Sequence, residues 1–220
     1  MSRLINISAP VLKNIASGSK NIPTMYYHPF APIQKLFWLR LAMMTNMMKE
    51  RSGVALDFGG GGGVFLPTLS VIFKKVICLD LCVKEAEMVV EMYGLSNVEI
   101  VQGDALKIEF DKNCFDVVVA ADVLEHFIEL QPPIERIHRW LKLNGSLFIS
   151  GPSENWLYRF GRTFFHIKKP EDHYHSVKDI ENLVNGYFMV YKKKFLPWFS
   201  SFSPIENFAV FTIIEARKLI

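Results

Sequence analysis

Five consecutive glycines, residues 59–63, follow a short apolar stretch that carries one acid, Asp57. Glycine is needed where the backbone adopts positive φ or where a ligand approaches the main chain, and five in a row carry a large entropic cost. Residues 54–58 have the composition of a buried strand, and residues 64–75 that of a helix. The free N–H groups at the start of a helix favour a negatively charged ligand group. We therefore predict a strand, a tight turn whose backbone faces a ligand, and a helix.

Two further acids follow the next two strand-like stretches. Asp80 ends residues 76–80, 23 residues after Asp57, and Asp104 follows residues 98–101. The carboxyl ends of parallel strands lie at one edge of a sheet, so these three acids are expected to line one crevice. A dinucleotide-binding turn has a glycine at the sixth place of its motif. Counted from Gly59, Gly60 or Gly61, the sixth place here is Val64, Phe65 or Leu66. The dinucleotide-binding pattern therefore does not match.

The glycine turn resembles the first motif of class I S-adenosylmethionine-dependent methyltransferases, in which an acid stands two residues before three alternating glycines. Residues 102–105 resemble the segment of that family that holds adenine. Residues 115–126 look like its fourth-strand motif, in the broad branch that includes quinone and other small-molecule methyltransferases. The resemblance covers about residues 50 to 190.

The resemblance implies S-adenosylmethionine as cofactor and S-adenosylhomocysteine as product. Asp57 and the turn amides suit the ammonium and carboxylate of its amino-acid end, whereas Asp57 would repel a pyrophosphate. Asp80 would accept the ribose hydroxyls, and Asp104 the exocyclic amine of adenine. The predicted cofactor-binding residues are Asp57, Phe58, Gly59, Gly60, Gly61, Gly63, Asp80, Leu81, Asp104, Ala105 and Ala121.

Two histidines are the candidate catalytic residues on the side of the methyl acceptor. His126 ends the fourth-strand motif, and His173 precedes a helix before which the family often has a histidine. An imidazole that titrates near neutral pH can take a proton from a hydroxyl or an amine. Packing of His126 at a helix start is the alternative, as is metal binding by Asp172, His173 and His175. No zinc signature is present, so no metal site is predicted.

The alternation of strands and helices predicts an α/β fold, a Rossmann-like doubly wound, mostly parallel seven-stranded sheet with an antiparallel C-terminal hairpin. Residues 1–50 would form an N-terminal lead-in, loosely held over 1–24, and a capping helix. Residues 51–220 would form the methyltransferase domain, with an inserted lid-like segment at about 151–175. Arg40 falls on the apolar side of the capping helix, where a snorkelling side chain is favoured over one that meets a carboxylate. Asp122 and Glu125 have the spacing of a helix cap.

Composition limits the partners and the location. The net charge of +3 is too small to indicate a nucleic-acid partner. Three cysteines without metal-ligand or disulfide spacing, and a start without an export signal, indicate a cytoplasmic protein. Residues 36–48 are too short to span a bilayer.

The aromatic and basic segments outside the motifs admit three interpretations, and the simplest is ordinary burial of the aromatic side chains. They could line an apolar acceptor pocket with a lid. Alternatively, residues 198–202 and the neighbouring lysines 192–194 could contact an anionic membrane surface at its periphery. The oligomeric state stays open.

We therefore expect an enzyme that moves a methyl group to a small-molecule or lipid-like acceptor by in-line displacement. An NAD-type oxidoreductase and a non-catalytic cofactor-binding module are the alternatives.

Overall fold

The computed structural model describes residues 4–17, 19, 21–48, 52–153, 163, 173–196 and 209–219. Its strands are β1 (Val54–Phe58), β2 (Lys75–Asp80), β3 (Val98–Gln102), β4 (Phe115–Ala121), β5 (Leu141–Pro152), β6 (Met189–Leu196) and β7 (Phe211–Arg217). Its helices are α1 (Ala9–Ile15), α2 (Ala31–Met48), α3 (Leu66–Ile72), α4 (Lys84–Tyr93), α5 (Gln131–Trp140) and α6 (Val177–Val184). Short 3₁₀ turns cover Thr24–Tyr27 and Leu124–His126.

The strands of the described residues form one seven-stranded sheet in the order β3-β2-β1-β4-β5-β7-β6. The pairs among β1 to β5 are parallel, and β7 runs antiparallel to both β5 and β6. The predicted fold class is thus confirmed. The chain order reverses between β1 and β4, and ligands of such sheets bind outside the carboxyl ends of the strands at that reversal.

Two apolar clusters cover the two faces of the sheet. Side chains of a strand alternate between faces, so Ala55 joins the cluster that contains α1 to α4, and Leu56 joins the cluster that contains α5 and α6. Asp57 follows in the same alternation and lies on the face of Ala55. The acid of the glycine motif is therefore placed under the helices of the N-terminal half.

The N-terminal lead-in packs tightly, and the expectation that residues 1–24 are loosely held was wrong for the described part. Leu12, Ile15 and Ile22 are buried, and the backbone N–H of Ile5 donates to Thr68 Oγ1 at 2.9 Å. The apolar residues are spaced too irregularly to show a helical period, so their burial depends on contacts with distant parts of the chain.

Two helix ends follow local sequence signals. Ser176 and Asp179 form both bonds of a capping box at the start of α6, and Gly94 ends α4 in the left-handed conformation at φ 59°. The fifth strand begins at Leu141, directly after α5, and passes through Asn144 at φ 61°.

No helix in the described ranges is both long and apolar enough to cross a membrane. The predicted lid-like segment lies mostly outside the described residues, as do residues 198–202 of the predicted membrane contact. The domain boundaries stay a prediction.

Candidate functional site

The glycine turn connects β1 to α3 in a conformation that suits glycine. Gly59, Gly61 and Gly63 have φ values of 70°, 52° and 72°, in the left-handed region that other residues rarely adopt. The turn is held to β2, because the N–H groups of Gly59 and Gly60 donate to Leu79 O at 2.8 and 3.3 Å. Backbone groups of the turn therefore form the first part of the site.

Asp57 lies buried directly under this turn, with 2% of its surface exposed. A Cβ built on Gly60 would lie 2.7 Å from Asp57 Oδ2 and 2.6 Å from Cys78 Sγ, so the turn approaches the acid as closely as only glycine allows. Within the described structure, Oδ2 accepts no hydrogen bond. Burial, and secondly the charge of Asp80, raise the pKa of Asp57 to about 7.

Asp80 and Asp104 lie at the ends of the next two strands, as predicted. The Asp80 carboxylate accepts from Gly61 N at 2.8 Å and from Cys82 N at 3.0 Å. Asp104 Oδ1 accepts from Leu106 N at 2.8 Å. Asp80 O also accepts from the N–H of Gly103, at 2.9 Å, which ties the second strand end to the third. The three acids therefore follow one edge of the sheet.

The other predicted cofactor residues differ in what they offer. The Phe58 side chain is fully buried and its ring stacks on Phe127 with centroids 5.9 Å apart, so only its backbone faces the turn. Leu81 is 65% exposed at the end of β2. Ala105 and Ala121 are half-buried.

The N-terminal segment supplies residues that the sequence did not reveal. Asn21 O accepts from Gly62 N at 3.1 Å, and the Asn21 side-chain amide donates to Glu85 Oε2 at 2.7 Å. A Cβ on Gly62 would lie 2.2 Å from Ile22 Cγ1. The turn is thus covered by a strap, residues 21–22, for which the sequence carries no motif.

Arg40 reaches a carboxylate, so the favoured prediction of a snorkelling side chain was wrong. It is 2% exposed and forms an ion pair with Asp122, and it also donates to the Tyr26 hydroxyl. The Asp122 carboxylate accepts a second bond from Ser150 Oγ at 3.0 Å. This cluster joins α2 to the carboxyl ends of β4 and β5.

The predicted helix cap at Asp122 and Glu125 was also wrong. Asp122 has φ 56° and pairs with Arg40, and only the 3₁₀ turn Leu124–His126 follows, without a side-chain cap. Glu125 is buried with 1% exposure. Asp122 pairs instead with the buried Arg40, 82 residues earlier in the chain. The spacing of residues within a local segment could not indicate so distant a partner.

The two candidate histidines come together although 47 residues separate them. Their ring centroids are 4.7 Å apart at an interplanar angle of 84°. Glu125 lies beside them, and one ligand-type atom from each of the three residues lies within 4.8 Å of the others. Two bonds join the segments: Tyr174 N donates to Glu125 O at 2.8 Å, and His175 Nε2 lies 3.0 Å from Ile128 O.

This histidine cluster adjoins the glycine turn. A Cβ on Gly59 would lie 2.2 Å from Val123 Cγ2, so the segment that carries Asp122 to His126 begins against the turn. The acids and the histidines therefore occupy adjacent parts of one sheet edge, on either side of the strand reversal.

Comparison with known proteins agrees with this arrangement. Residues 56–149 match the family described as "Methyltransferase domain". The chain is 30% identical over 125 residues to 2-methyl-6-phytyl-1,4-hydroquinone methyltransferase 1, chloroplastic, of Oryza sativa subsp. japonica, covering 54% of this chain and 37% of that protein. It is 28% identical over 156 residues to the mitochondrial ubiquinone biosynthesis O-methyltransferase of Mus musculus, covering 63% and 42%. The chain thus spans well under half of the length of these relatives.

A solved structure supports the fold. N-methyltransferase NodS from Bradyrhizobium japonicum WM9, in complex with S-adenosyl-L-homocysteine, superposes with a TM-score of 0.64 at 14% identity, covering 96% of this chain and 97% of that one. The sheet order, the glycine turn and the matched domain agree with one another. Residues 56–149 match a methyltransferase domain, and these findings together support a class I S-adenosylmethionine-dependent methyltransferase.

Proposed function

We propose that this protein transfers the methyl group of S-adenosylmethionine to a small-molecule acceptor. The observation that carries the proposal is Asp57, a buried acid under a glycine turn with an oxygen that accepts no hydrogen bond within the described structure. Burying such a group without a partner is costly. A cationic ligand group at the turn would supply that partner.

The cofactor is proposed to lie along the three acids. Its ammonium pairs with Asp57, and its carboxylate meets the turn amides. The ribose hydroxyls would donate to Asp80, which in exchange gives up part of its bonding to Gly61 N. Adenine would lie between Asp104 and the exposed side chain of Leu81. NodS, of the same fold, is described with S-adenosylhomocysteine, which supports this choice of ligand.

The acceptor is proposed to lie on the side of His126 and His173. The relatives are named for a phytyl hydroquinone and for ubiquinone biosynthesis, which supports a hydroxylated ring with an apolar tail. In the transfer, the sulfonium S–CH₃ bond breaks as the acceptor–CH₃ bond forms, and the acceptor proton leaves. The enzyme contributes mainly alignment and exclusion of water.

Cytoplasmic location and membrane contact stay predictions. Lys193 in the basic run bonds to Glu181 Oε2 at 2.9 Å, so it is at least partly engaged within the fold. Sedimentation with anionic vesicles would test the contact, and a protein that stays in the supernatant would contradict it.

Calorimetry with S-adenosylhomocysteine and, separately, with NAD tests the cofactor assignment. We expect saturable binding of S-adenosylhomocysteine only. Asp80→Asn should weaken it by roughly tenfold, because a charge-assisted bond is worth about 1.5 kcal/mol or more. Glu99→Gln, on the exposed surface of the neighbouring strand, is the matched control and should bind normally. Binding of NAD alone would refute the assignment. Cofactor binding without methyl transfer to any hydroquinone or phenol would favour the non-catalytic module.

A further inference from the structure

We propose that Glu125, His126 and His173 form a binding site for a divalent transition-metal cation. The three side chains come from two segments, and their ligand-type atoms already lie within 4.8 Å of one another. Ligands of tetrahedral zinc, bound at about 2.0–2.1 Å, lie about 3.3 Å apart. Closing that difference takes about 1.5 Å, which rotation of the imidazole rings can supply.

Two hydrogen bonds that do not involve the three ligand side chains hold the two segments in place. Tyr174 N donates to Glu125 O, so the residue after one histidine is bonded to the residue before the other. His175 Nε2 contacts Ile128 O on the far side of the cluster. The approach of His173 to His126 is therefore a property of the fold.

The chemistry of the donors selects the cation. Two imidazoles and one carboxylate suit Zn²⁺, Fe²⁺, Co²⁺ or Ni²⁺, whereas Mg²⁺ and Ca²⁺ prefer oxygen ligands. Two histidines with a glutamate are one ligand set of catalytic zinc sites, which keep a further position for water or substrate. Burial decreases from Glu125 through His173 to the exposed His126. The further position would therefore face the exposed side, next to the glycine turn.

The role of the cation rests on the proposed function. A cation there would bind a hydroxyl oxygen of the acceptor and lower its pKa, so that the proton leaves to solvent before the oxygen attacks the methyl group. The S–CH₃ bond then breaks and an O–CH₃ bond forms, with no oxidant or reductant involved. The acceptor would accordingly be an alcohol or phenol.

The experiment is titration of the chelator-treated full chain with Co²⁺, followed by visible absorption and equilibrium dialysis. We expect one Co²⁺ per chain, with absorption bands of a cation bound through imidazole, and displacement by Zn²⁺. His173→Ala and Glu125→Gln should each weaken binding at least about 100-fold, since loss of even a hydrogen-bonding partner of a ligand costs 10–100-fold. His175→Gln, which keeps an amide near Ile128 O, is the control and should bind normally.

The same samples are titrated with S-adenosylhomocysteine, which separates this proposal from the proposed function. Normal cofactor binding also shows that each variant is folded. Binding of the cofactor without binding of Co²⁺ or Zn²⁺ tighter than about 1 mM would overturn the metal site alone. Binding of Co²⁺ that is unchanged in both His173→Ala and Glu125→Gln would overturn it as well. Metal binding without cofactor binding would overturn the proposed function and leave the site intact.

Discussion

The two parts of the sheet edge are built in different ways. The glycine half comprises the turn with Asp57, Asp80 and Asp104, and its hydrogen bonds join carboxylates and carbonyls to backbone N–H groups. The histidine half comprises Arg40, Asp122, Glu125, His126 and His173. Its functional groups are side chains from distant segments, which meet through an ion pair, a ring contact and one backbone hydrogen bond.

The difference separates a part of the site that depends on the path of the backbone from a part that depends on particular side chains. A site made of backbone amides depends on chain path, so one cofactor can be bound by many sequences of the same fold. A site made of side chains can change with single substitutions. We infer that the glycine half carries the function common to the family and that the histidine half carries the choice of acceptor.

The largest expected effect breaks the histidine half. Arg40→Met should lower the free energy of unfolding by about 3 kcal/mol, because removing one partner leaves the other member of a buried ion pair without compensation. Urea denaturation measures the loss. The double variant Arg40→Met/Asp122→Asn should recover part of it. If the two single losses simply add in the double variant, the pair is not coupled. Arg40→Met should still bind S-adenosylhomocysteine, because Arg40 belongs to the histidine half and the cofactor is proposed to bind the glycine half.

A second variant breaks the glycine half by filling space. In Gly60→Ala the new Cβ would meet Cys78 Sγ and Asp57 Oδ2 at 2.6 and 2.7 Å. Overpacking of this kind costs about 1–3 kcal/mol, and we expect binding of S-adenosylhomocysteine to fall by up to roughly 100-fold.

Gly94→Ala is the matched control for that variant. Gly94 has φ 59° and nothing lies within 4 Å of its added Cβ. This change should cost about 1 kcal/mol of stability through backbone strain and leave calorimetric binding unchanged. Equal binding by Gly60→Ala and Gly94→Ala would show that close approach at Gly60 has no part in binding.

The smallest effect concerns pH and sharpens the role of Asp57. Its pKa is raised from 3.8 to about 7, so between these values the folded protein binds a proton that the unfolded chain lacks. Stability therefore decreases as pH rises toward 7. Cofactor binding responds in the opposite direction, because the ammonium favours the ionised acid. We expect the affinity for S-adenosylhomocysteine to increase about tenfold from about pH 6 to about pH 8.

Calorimetry in buffers of different ionisation enthalpy would detect the proton that Asp57 releases. Asp57→Asn should abolish both the release and the pH dependence. The neighbouring titratable groups are Asp80 and Cys78, and burial followed by the charges of Asp57 and Asp80 raises the pKa of the Cys78 thiol well above 9.0. That thiol stays protonated over this range, so an unchanged slope in Asp57→Asn would show that Asp57 is not the group that responds to pH.

The contrast also accounts for what the sequence could predict. Asp57 and Asp80 are among the last residues of β1 and β2, and Asp104 follows β3 by two residues. Sheet order brings strand ends together without any further information. The pairing of Arg40 with Asp122 depends instead on how α2 packs across the sheet. A local pattern of Asp122 and Glu125 competes with that packing and indicates a helix cap that does not form.

His126 and His173 occupy an intermediate position. Each was a candidate from its own segment, but their contact depends on α6 packing against the 3₁₀ turn Leu124–His126, and no spacing within the chain encodes that distance. Glu125 was assigned to a cap and therefore missed as a neighbour of the histidines. The burial of Glu125 is the property that distinguishes it from an exposed capping residue. This burial follows from tertiary contacts, so the sequence alone does not show it.

The strap has a consequence for how the chain folds and where it can be cut. Asn21 is joined to Gly62 across a loop of about 40 residues that includes α2, so the turn reaches its final form only after the N-terminal helices dock. Contacts between residues far apart in the chain form slowly during folding, so the final conformation of the turn depends on a slow step. A fragment trimmed to the matched residues 56–149 would keep the glycine turn and its three acids and lose the peptide that fastens the turn.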